Sequence, residues 1–343
     1  MSIPSTMRAL RCATPDIDAL ALVDGLPVPE PGRGQVLLRV HAVSLNFRDL
    51  LAVRAQMSPV PALPFVPGSD ASGEVVAVGE GVGRWRVGDR LMTSFVPGWH
   101  AGAPTPAQRA RTLGGGLPGV LQDYIVASEE DLVRVPDGWS HEQASTLAIA
   151  ALTAWSVLAD GGLRAGATVL TQGCGGVALF ALQFAKAAGA RVISLSSSPD
   201  RLERLRALGA DALLDYRAQP QWTGAVREAC GGAGVDIVVE TTGSTLGQSV
   251  AACALGGFIG VVGFVGGLEA QVPVRQLLGS MVRVQGSFVG SRERFEQMVG
   301  ALERSPQRPV IDSVFELADG RKAFEHLQGG RQFGKVVIRL ANS

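Results

Sequence analysis

The stretch from Ala167 to Gly209 constrains the fold of this chain more than any other. A short β-branched apolar run at 167–172 is followed by a glycine-rich turn, a helical pattern of apolar residues and a second apolar run at 191–195. A buried strand, a turn, a helix and another strand in this order predict a βαβ unit of a parallel sheet. The sequence therefore predicts an α/β fold that contains a doubly wound, Rossmann-type domain.

The turn between that strand and helix reads Gly-x-Gly-x-x-Ala. The first glycine permits a tight turn, the second lets the backbone approach a pyrophosphate, and the start of the helix offers N–H groups to phosphate oxygens. We therefore predict a dinucleotide site that includes Gly173, Gly175, Gly176 and Val177. The alternative is a βαβ packing turn without a ligand, because the chain contains 44 glycines.

No carboxylate follows the second strand, where NAD-binding proteins hold the ribose 2′-hydroxyl. Ser196, Ser197 and Ser198 occupy that place, and Arg201 follows one turn into the next helix. Hydroxyl and guanidinium groups suit the 2′-phosphate of NADP(H), which a carboxylate would repel. The sequence thus favours NADP(H), and the alternative is that the serines cap a helix while Arg201 is a solvated charge.

Length and composition limit the other classes of function. A chain of 343 residues predicts two domains, since single cores rarely exceed about 250–300 residues. Thirty-one basic residues balance thirty-one acidic ones, so neither a nucleic-acid nor a membrane partner is expected. The N-terminus lacks the apolar core of a signal peptide, and no apolar run reaches the ~20 residues of a membrane span. Four scattered cysteines favour a reduced, cytoplasmic setting.

The residues on either side of the α/β domain predict a small β-barrel. Residues 1–90 contain many short strands punctuated by Gly and Pro, and a last strand near 334–338 is placed to close the barrel. Residues 94–121 form a long loop whose aromatic residues either line a substrate entrance or pack in a surface excursion. The predicted domains are a barrel built from 1–128 and 290–343 and a Rossmann domain over 129–289.

Later strands of the Rossmann domain add candidate ligand contacts. Buried strands at 235–240 and 257–263 each lead into a glycine-bearing turn, and 281–289 is a further strand. Ligands of doubly wound sheets bind at the carboxyl ends of the strands. We therefore predict cofactor contacts from four residues at or just beyond the carboxyl ends of these strands, namely Thr242, Gly263, Phe264 and Phe288. An apolar outermost strand at 281–289 also predicts a homodimer formed edge to edge, because an uncovered edge is liable to pair.

Several motifs together resemble the medium-chain dehydrogenase/reductase superfamily, and its zinc-free quinone oxidoreductase-like and enoyl reductase-like members most. They are Pro67-Gly68-Ser69-Asp70, Gly88-Asp89-Arg90, the Gly-x-Gly-Gly-Val turn, Gly209-Ala210-Asp211 and Gly334-Lys335-Val-Val-Ile. The resemblance spans nearly the whole chain. It implies a GroES-like catalytic domain made of both termini, a Rossmann domain between them, a cleft that holds NADP(H), and a homodimer. It also implies that Tyr216, Gly334 and Lys335 contact the cofactor.

The resemblance further implies that this chain lacks zinc. Zinc-containing relatives carry Cys where Asn46 stands and Gly-His-Glu where Gly68-Ser69-Asp70 stands, with further cysteines near 147–151 and within 94–121. A zinc site needs at least three protein ligands, so the sequence predicts no metal. Without a Lewis acid an alcohol is hard to deprotonate, whereas hydride addition to a quinone or an enone needs only hydrogen-bond donors for the oxyanion.

Asn46, Arg48 and Asp49 are the predicted catalytic residues, because their Asn-Phe-Arg-Asp segment is similar to the family's Asn-Tyr-x-Asp. The Asn46 amide or the Arg48 guanidinium would stabilise the oxyanion, and Asp49 would orient Asn46 or bind a ribose hydroxyl. Helix capping is the alternative for Asn46 and Asp49. The leading hypothesis is NADPH-dependent reduction of a small quinone or α,β-unsaturated carbonyl. The alternatives are alcohol/aldehyde oxidoreduction and a non-catalytic NADP-binding sensor or structural protein.

Overall fold

The computed structural model describes residues 3–57, 59–305 and 307–340. Its strands are β1 (Thr6–Cys12), β2 (Leu20–Pro27), β3 (Gln35–Leu45), β4 (Asp70–Val78), β5 (Arg90–Thr93), β6 (Tyr124–Ser128), β7 (Leu132–Arg134), β8 (Thr168–Gln172), β9 (Arg191–Ser196), β10 (Ala212–Asp215), β11 (Val235–Glu240), β12 (Cys253–Val261), β13 (Arg283–Gly286), β14 (Ile311–Glu316) and β15 (Lys335–Arg339). Its α-helices are α1 (Phe47–Val53), α2 (Pro106–Arg109), α3 (His141–Ser145), α4 (Leu152–Asp160), α5 (Gly176–Ala187), α6 (Pro199–Ala207), α7 (Thr223–Ala229), α8 (Leu246–Ala252), α9 (Val274–Ser280), α10 (Arg292–Leu302) and α11 (Gly320–Gln328).

The chain divides into two units, one made of residues 1–149 and 290–343 and the other of residues 150–289. The described part of the first unit contains a seven-stranded sheet in the order β14-β15-β3-β4-β5-β7, with β6 also paired to β3. Strand β3 is central because it pairs with β4, β6 and β15. Its apolar residues are buried on both faces of the sheet. The final strand β15 joins this sheet, as the sequence predicts.

The first unit runs to residue 149, whereas the predicted boundary lies at residue 128. Strand β7 and helix α3 explain the difference, because β7 pairs with β5 and α3 packs against β3, β4 and β15. His141 at its start accepts a hydrogen bond from Arg90 Nε at 3.2 Å and pairs with Ser72 Oγ at 2.8 Å. Glu142 accepts from Arg339 Nε at 2.8 Å. These bonds tie α3 to the sheet that the two ends of the chain build.

The second unit is a parallel six-stranded sheet in the order β10-β9-β8-β11-β12-β13. Chain order along this sheet is 3-2-1-4-5-6, the arrangement of a Rossmann fold, and the strand order reverses between β8 and β11. Ligands of such sheets bind outside the carboxyl ends of the strands at this reversal. The predicted doubly wound sheet is confirmed, and the glycine-rich turn lies at its switch point.

The edge strand β13 is shorter than the predicted run 281–289. Met281 and Val289 both have positive φ values, +51° and +46°. A residue in this left-handed region cannot continue a strand, so pairing with β12 is confined to Arg283–Gly286. Within the described residues β13 is an end of the sheet, and its side chains are exposed.

Among the described residues, none of the helices combines the length and the hydropathy needed to cross a membrane.

Candidate functional site

The glycine-rich turn follows β8 and leads directly into α5. Gly173 has φ +78°, a conformation that favours glycine, and its N–H donates to Leu195 O at 2.8 Å. Gly175 is extended rather than left-handed, and a Cβ built on it meets nothing within 4 Å. The open side of Gly175 and the N–H groups of the first turn of α5, which begins at Gly176, fit a phosphate. Val177 lies half-buried in the same turn.

The residues predicted to read the ribose phosphate come together at the end of β9. Arg201 Nη1 donates to Ser197 Oγ at 3.4 Å, and Tyr216 N donates to Ser196 O at 3.0 Å. Ser198 occupies the N-cap position of α6 without a side-chain cap hydrogen bond, so its hydroxyl is not explained by capping. The Ser196 hydroxyl pairs instead with Cys174 Sγ at 3.2 Å, and both side chains are buried. Burial raises the pKa of the Cys174 thiol, which makes it a packed side chain rather than a nucleophile.

A buried carboxylate that the sequence analysis missed lies at the switch point. Glu240 ends β11 with no solvent exposure, and its Oε1 accepts from Thr242 N at 3.0 Å, Gly243 N at 2.9 Å and Thr245 Oγ1 at 3.0 Å. Its Oε2 accepts from Gln172 Nε2 at 2.8 Å and from Ser249 Oγ. The signal for this group in the sequence is a polar residue at the last position of each of two buried strands, at 172 and 240.

Gln172 extends this network to the loop after β11. Its Oε1 accepts from Thr241 N at 3.2 Å and from Thr242 Oγ1 at 3.0 Å. Gln172 and Glu240 thus join the end of β8 to the predicted cofactor loop. The Thr242 carbonyl in turn accepts from Gly266 N at 2.9 Å, which ties this loop to the turn after β12.

The other residues predicted to contact the cofactor differ in solvent exposure and in the space around them. Gly263 lies against the neighbouring loop, because a Cβ there would stand 2.6 Å from Thr241 O. Phe264 is exposed and Phe288 is half-buried. In the first unit, Gly334 has φ +106°, and a Cβ there would stand 2.3 Å from Val310 O. The glycine at 334 is thus required by the backbone, independently of any ligand.

In the first unit, Asn46 joins two side chains that are distant in sequence. Its Nδ2 donates to Asp70 Oδ2 at 3.0 Å, and its Oδ1 accepts from Lys335 Nζ at 2.6 Å. The ammonium of Lys335 also donates to Leu45 O at 2.6 Å. Asn46 is the N-cap residue of α1, and Asp49 Oδ2 accepts its backbone N–H at 2.8 Å. The capping alternative therefore accounts for the backbone of Asn46 and for Asp49, and it leaves the bonds of the Asn46 amide to Asp70 and Lys335 unexplained.

Burial shifts the ionisation of this cluster. Asp70 has no solvent exposure, and its burial raises the pKa of the carboxyl to about 7, although the Lys335 charge and the Asn46 hydrogen bond act in the opposite direction. Burial likewise lowers the pKa of the Lys335 ammonium. Among the described residues, Asp70 Oδ1 has no hydrogen-bond partner.

The Arg48 guanidinium binds to residues of the loop over 94–121 and also to residues outside it. Its Nη1 donates to Leu113 O at 3.0 Å, to Asp49 Oδ1 at 3.3 Å and to Ser69 Oγ, and its Nη2 donates to Thr112 Oγ1 at 3.3 Å. The guanidinium also lies 4.7 Å from the centre of the Phe95 ring. These contacts make Arg48 an anchor of the loop, which leaves Asn46 as the better candidate for an oxyanion donor. Phe95 and Trp99 are buried, in line with the packed-aromatic alternative for this loop.

Two of the histidines lie side by side in the structure although they are distant in the sequence. His41 and His141, far apart in the chain, stack with ring centroids 4.3 Å apart. In the part of the chain that the structure describes, no group of three or more His, Cys, Asp or Glu side chains is arranged to hold a metal ion.

Two protein families match the chain in separate segments. An alcohol dehydrogenase GroES-like domain matches residues 32–137, and a zinc-binding dehydrogenase domain matches residues 176–304. A zinc-type alcohol dehydrogenase-like protein of Schizosaccharomyces pombe is 38% identical over 317 residues, 90% of this chain and 91% of that protein. A quinone oxidoreductase of Pseudomonas aeruginosa is 31% identical, over 90% of this chain and 92% of that protein. The crystal structure of an NAD-dependent alcohol dehydrogenase is 33% identical with a TM-score of 0.89, covering 98% of this chain and 100% of that chain.

Proposed function

Because this chain belongs to the medium-chain dehydrogenase/reductase superfamily of oxidoreductases, which bind nicotinamide cofactors, we propose that it is a metal-free, NADPH-dependent reductase of quinones or α,β-unsaturated carbonyls. The observation that carries the proposal is the Asn46 amide, which is held between the Lys335 ammonium and the Asp70 carboxyl. An amide N–H is a neutral donor that can stabilise a developing oxyanion without a Lewis acid. The first test is NADPH oxidation with a panel of quinones, enones and aldehydes.

The proposed reaction divides the work between cofactor and protein. The residues proposed to hold NADPH are those of the glycine-rich turn after β8 and the end of β9, and the cofactor, when bound there, would supply a hydride from nicotinamide C4 to the electron-poor carbon of the acceptor. The Asn46 amide donates to the acceptor oxygen as negative charge develops on it, and water supplies the proton that completes the reduction. Asn46 Nδ2 also lies 3.4 Å from Ser44 O, a long hydrogen bond from its second N–H that an oxyanion can replace.

The side chains at the position of the family's catalytic zinc do not fit that metal. Zinc is held by thiolate, imidazole or carboxylate ligands, and at least three are needed. Asn46 Oδ1 already accepts from a lysine ammonium, Ser69 Oγ bonds to Asp49 and Arg48, and Asp70 is the one carboxylate of the three positions. We therefore derive no step through zinc.

We expect the purified protein to contain no stoichiometric metal and to keep its activity in the presence of a chelator. The physical reason is that the side chains at positions 46, 69 and 70 do not supply three zinc ligands. Elemental analysis together with turnover before and after incubation with EDTA checks this expectation. One zinc per chain, with activity lost to the chelator, would overturn the metal-free mechanism.

We propose NADPH rather than NADH, because the hydroxyls of Ser197 and Ser198 and the guanidinium of Arg201 lie near the end of β9, whereas the predicted contribution of the Ser196 hydroxyl is not supported, since it is buried against Cys174. Arg201→Ala removes charge-assisted bonds to the 2′-phosphate, which should raise the KM for NADPH about ten- to a hundredfold, or roughly 1.5–3 kcal/mol. The KM for NADH should stay nearly unchanged, because NADH has no 2′-phosphate. Arg206→Ala, on the same helix and ion-paired to Glu203, is the matched control and should change neither value. Equal losses for both cofactors would refute the assignment.

Alcohol/aldehyde oxidoreduction is the second candidate, and the alcohol dehydrogenases among the similar proteins favour it. The lack of a fitting zinc ligand set counts against it. The acceptor panel separates the two, because an alcohol dehydrogenase should turn over aldehydes in preference to quinones and enones. Binding of NADPH without turnover of any acceptor would instead favour a sensor or structural role.

We also propose a cytoplasmic setting for this protein. The four cysteines of the chain are all free thiols, which suits a reducing compartment.

We also propose a homodimer formed edge to edge through β13. An open strand edge with exposed apolar side chains beside it favours pairing with a second copy. The exposed apolar side chains on β13 and in the segment before it are Val274, Leu278, Met281 and Val284. Light scattering should report a dimer at micromolar concentration. Val284→Lys should shift it toward monomer, whereas Val87→Lys, at an exposed position of the other unit, should not. Wild-type protein that is only monomeric would contradict the proposal.

A further inference from the structure

Three side chains at the ends of three strands, Asp70, Lys335 and Asn46, meet in one hydrogen-bonded chain in the first unit. Strand β3 pairs with β4 on one side, with Ser44 opposite Asp70, and with β15 on the other, with Leu45 opposite Val336. This register brings Asp70 and Lys335, the first residues of β4 and β15, to the end of β3, where Asn46 follows. Lys335 is 4% exposed and Asp70 is fully buried.

The chemistry of the two neighbours decides which way the Asn46 amide faces. An ammonium can only donate, so Lys335 must face the amide oxygen, at 2.6 Å. With the amide oxygen held by Lys335, the amide nitrogen faces Asp70 and donates to its Oδ2 at 3.0 Å, and a carboxyl oxygen can accept this bond in either ionisation state. A flipped amide would turn its NH2 toward the ammonium and its oxygen toward the carboxylate. Both hydrogen bonds would be lost in a site where water does not replace them.

We propose that Lys335 is a positioning residue, which with Asp70 locks the Asn46 amide in the orientation that presents its second N–H to the acceptor oxygen. This inference rests on the proposed function for its effect on turnover. A cation on the amide oxygen also draws electron density from the nitrogen, which strengthens the remaining N–H as a donor. Asn46 is then the catalytic residue, and Lys335 acts through it.

This role differs from the direct cofactor contact that the sequence resemblance implies for Lys335. A cofactor contact would weaken NADPH binding when it is removed. A positioning residue would instead lower kcat at saturating NADPH and leave the Kd for NADPH unchanged. A raised Kd for NADPH with kcat retained would therefore indicate a cofactor contact, and a lowered kcat with Kd retained would indicate a positioning residue.

The test is a double-mutant cycle of Lys335→Met and Asn46→Ala, with Lys322→Met, an exposed lysine of the same unit, as the control. We expect Lys335→Met alone to lower kcat about 10- to 100-fold, the cost of a misplaced catalytic group. In the Asn46→Ala background it should lower kcat no further, because the group it positions is already absent. A raised Kd for NADPH with kcat retained, or additive losses in kcat, would overturn the proposal.

A second readout does not depend on turnover. The chain contains two asparagines, at 46 and 342, so protein labelled with 15N-asparagine has two side-chain amide nitrogen resonances, and the one absent from Asn46→Ala belongs to Asn46. Lys335→Met should shift that signal and Lys322→Met should not. An Asn46 signal unchanged by Lys335→Met would overturn the positioning role, whether or not the protein reduces any tested acceptor. Failure to reduce any acceptor would refute the proposed function instead, and it would leave this test of the positioning role valid.

A further variant guards against misfolding of Lys335→Met, which leaves the buried Asp70 without its neighbouring cation. Lys335→Met/Asp70→Leu removes both charges and keeps a similar volume, a change that buried ion pairs often tolerate. We expect the same loss of kcat and the same shift of the Asn46 signal in this variant. Wild-type kcat in a folded double variant would overturn the proposal.

Discussion

Asn46→Ala should lower kcat for the best acceptor by about 10²–10³, or about 2.7–4 kcal/mol of transition-state stabilisation. The proposed reason is the loss of the amide N–H that donates to the oxyanion, because such a bond is stronger in the transition state than in the ground state. Binding of NADPH, followed by fluorescence, should stay close to wild type. Steady-state kinetics at saturating NADPH measure the effect. Asn46→Asp should be at least as damaging, because its carboxylate would repel both the oxyanion and Asp70.

The alternative for Asn46 is a helix cap, and a matched control separates the two roles. Ser140 is the N-cap residue of α3 in the same unit, and its Oγ accepts from Gln143 N at 3.2 Å. Ser140→Ala should lower the melting temperature and leave kcat unchanged. If Asn46→Ala behaves in the same way, Asn46 is only a cap, and the oxyanion donor is then a backbone N–H group or Arg48.

Glu240→Gln should destabilise the second unit by about 2–6 kcal/mol, since the change leaves about two buried donors without an acceptor at about 1–3 kcal/mol each. Five donors converge on the two carboxylate oxygens, and an amide keeps one of those oxygens. The NH2 group would point at other donors whichever way it turned. Hydrogen exchange of the amides in 241–252 should become faster, because this segment carries four of the five donors.

The same variant should weaken NADPH binding if Thr242 contacts the cofactor as predicted, because Glu240 holds that loop through Thr242 N and Gly243 N. Glu269→Gln, at an exposed position of the same unit, is the control and should alter neither exchange nor binding. Unchanged exchange of 241–252 in Glu240→Gln would show that the buried carboxylate is not required to hold the loop.

The βαβ unit could be predicted from the chain because every signal for it is local. The apolar run before Gly173, the apolar helical face after it and the glycines between them lie within one short segment. The structure confirms the consequences, with Gly173 at φ +78° and α5 beginning at Gly176. The barrel-type sheet and the return of the last strand were predictable for a similar reason, since turn residues and β-branched runs mark strands wherever they pair.

Sequence alone could not predict where the edge strand ends or how far the first unit extends. Met281 and Val289 adopt left-handed φ values that their side chains do not favour, so no residue preference marks the ends of β13. Residues 129–149 join the first unit through bonds from His141 and Glu142 to strands that lie elsewhere in the chain. Both features depend on packing against distant elements.

The candidate site depends on tertiary structure to a greater degree. The asparagine at 46 was recognisable in the chain, but its partners Asp70 and Lys335 lie 24 and 289 residues away. Gln172 and Glu240, which are 68 residues apart, escaped the sequence analysis altogether. Local propensity places a residue at the end of a strand, whereas strand order and register decide which ends are neighbours. For that reason Asn46 could be recognised in the chain, whereas its contacts with Asp70 and Lys335, and those of Glu240 with the loop after β11, required the folded sheets.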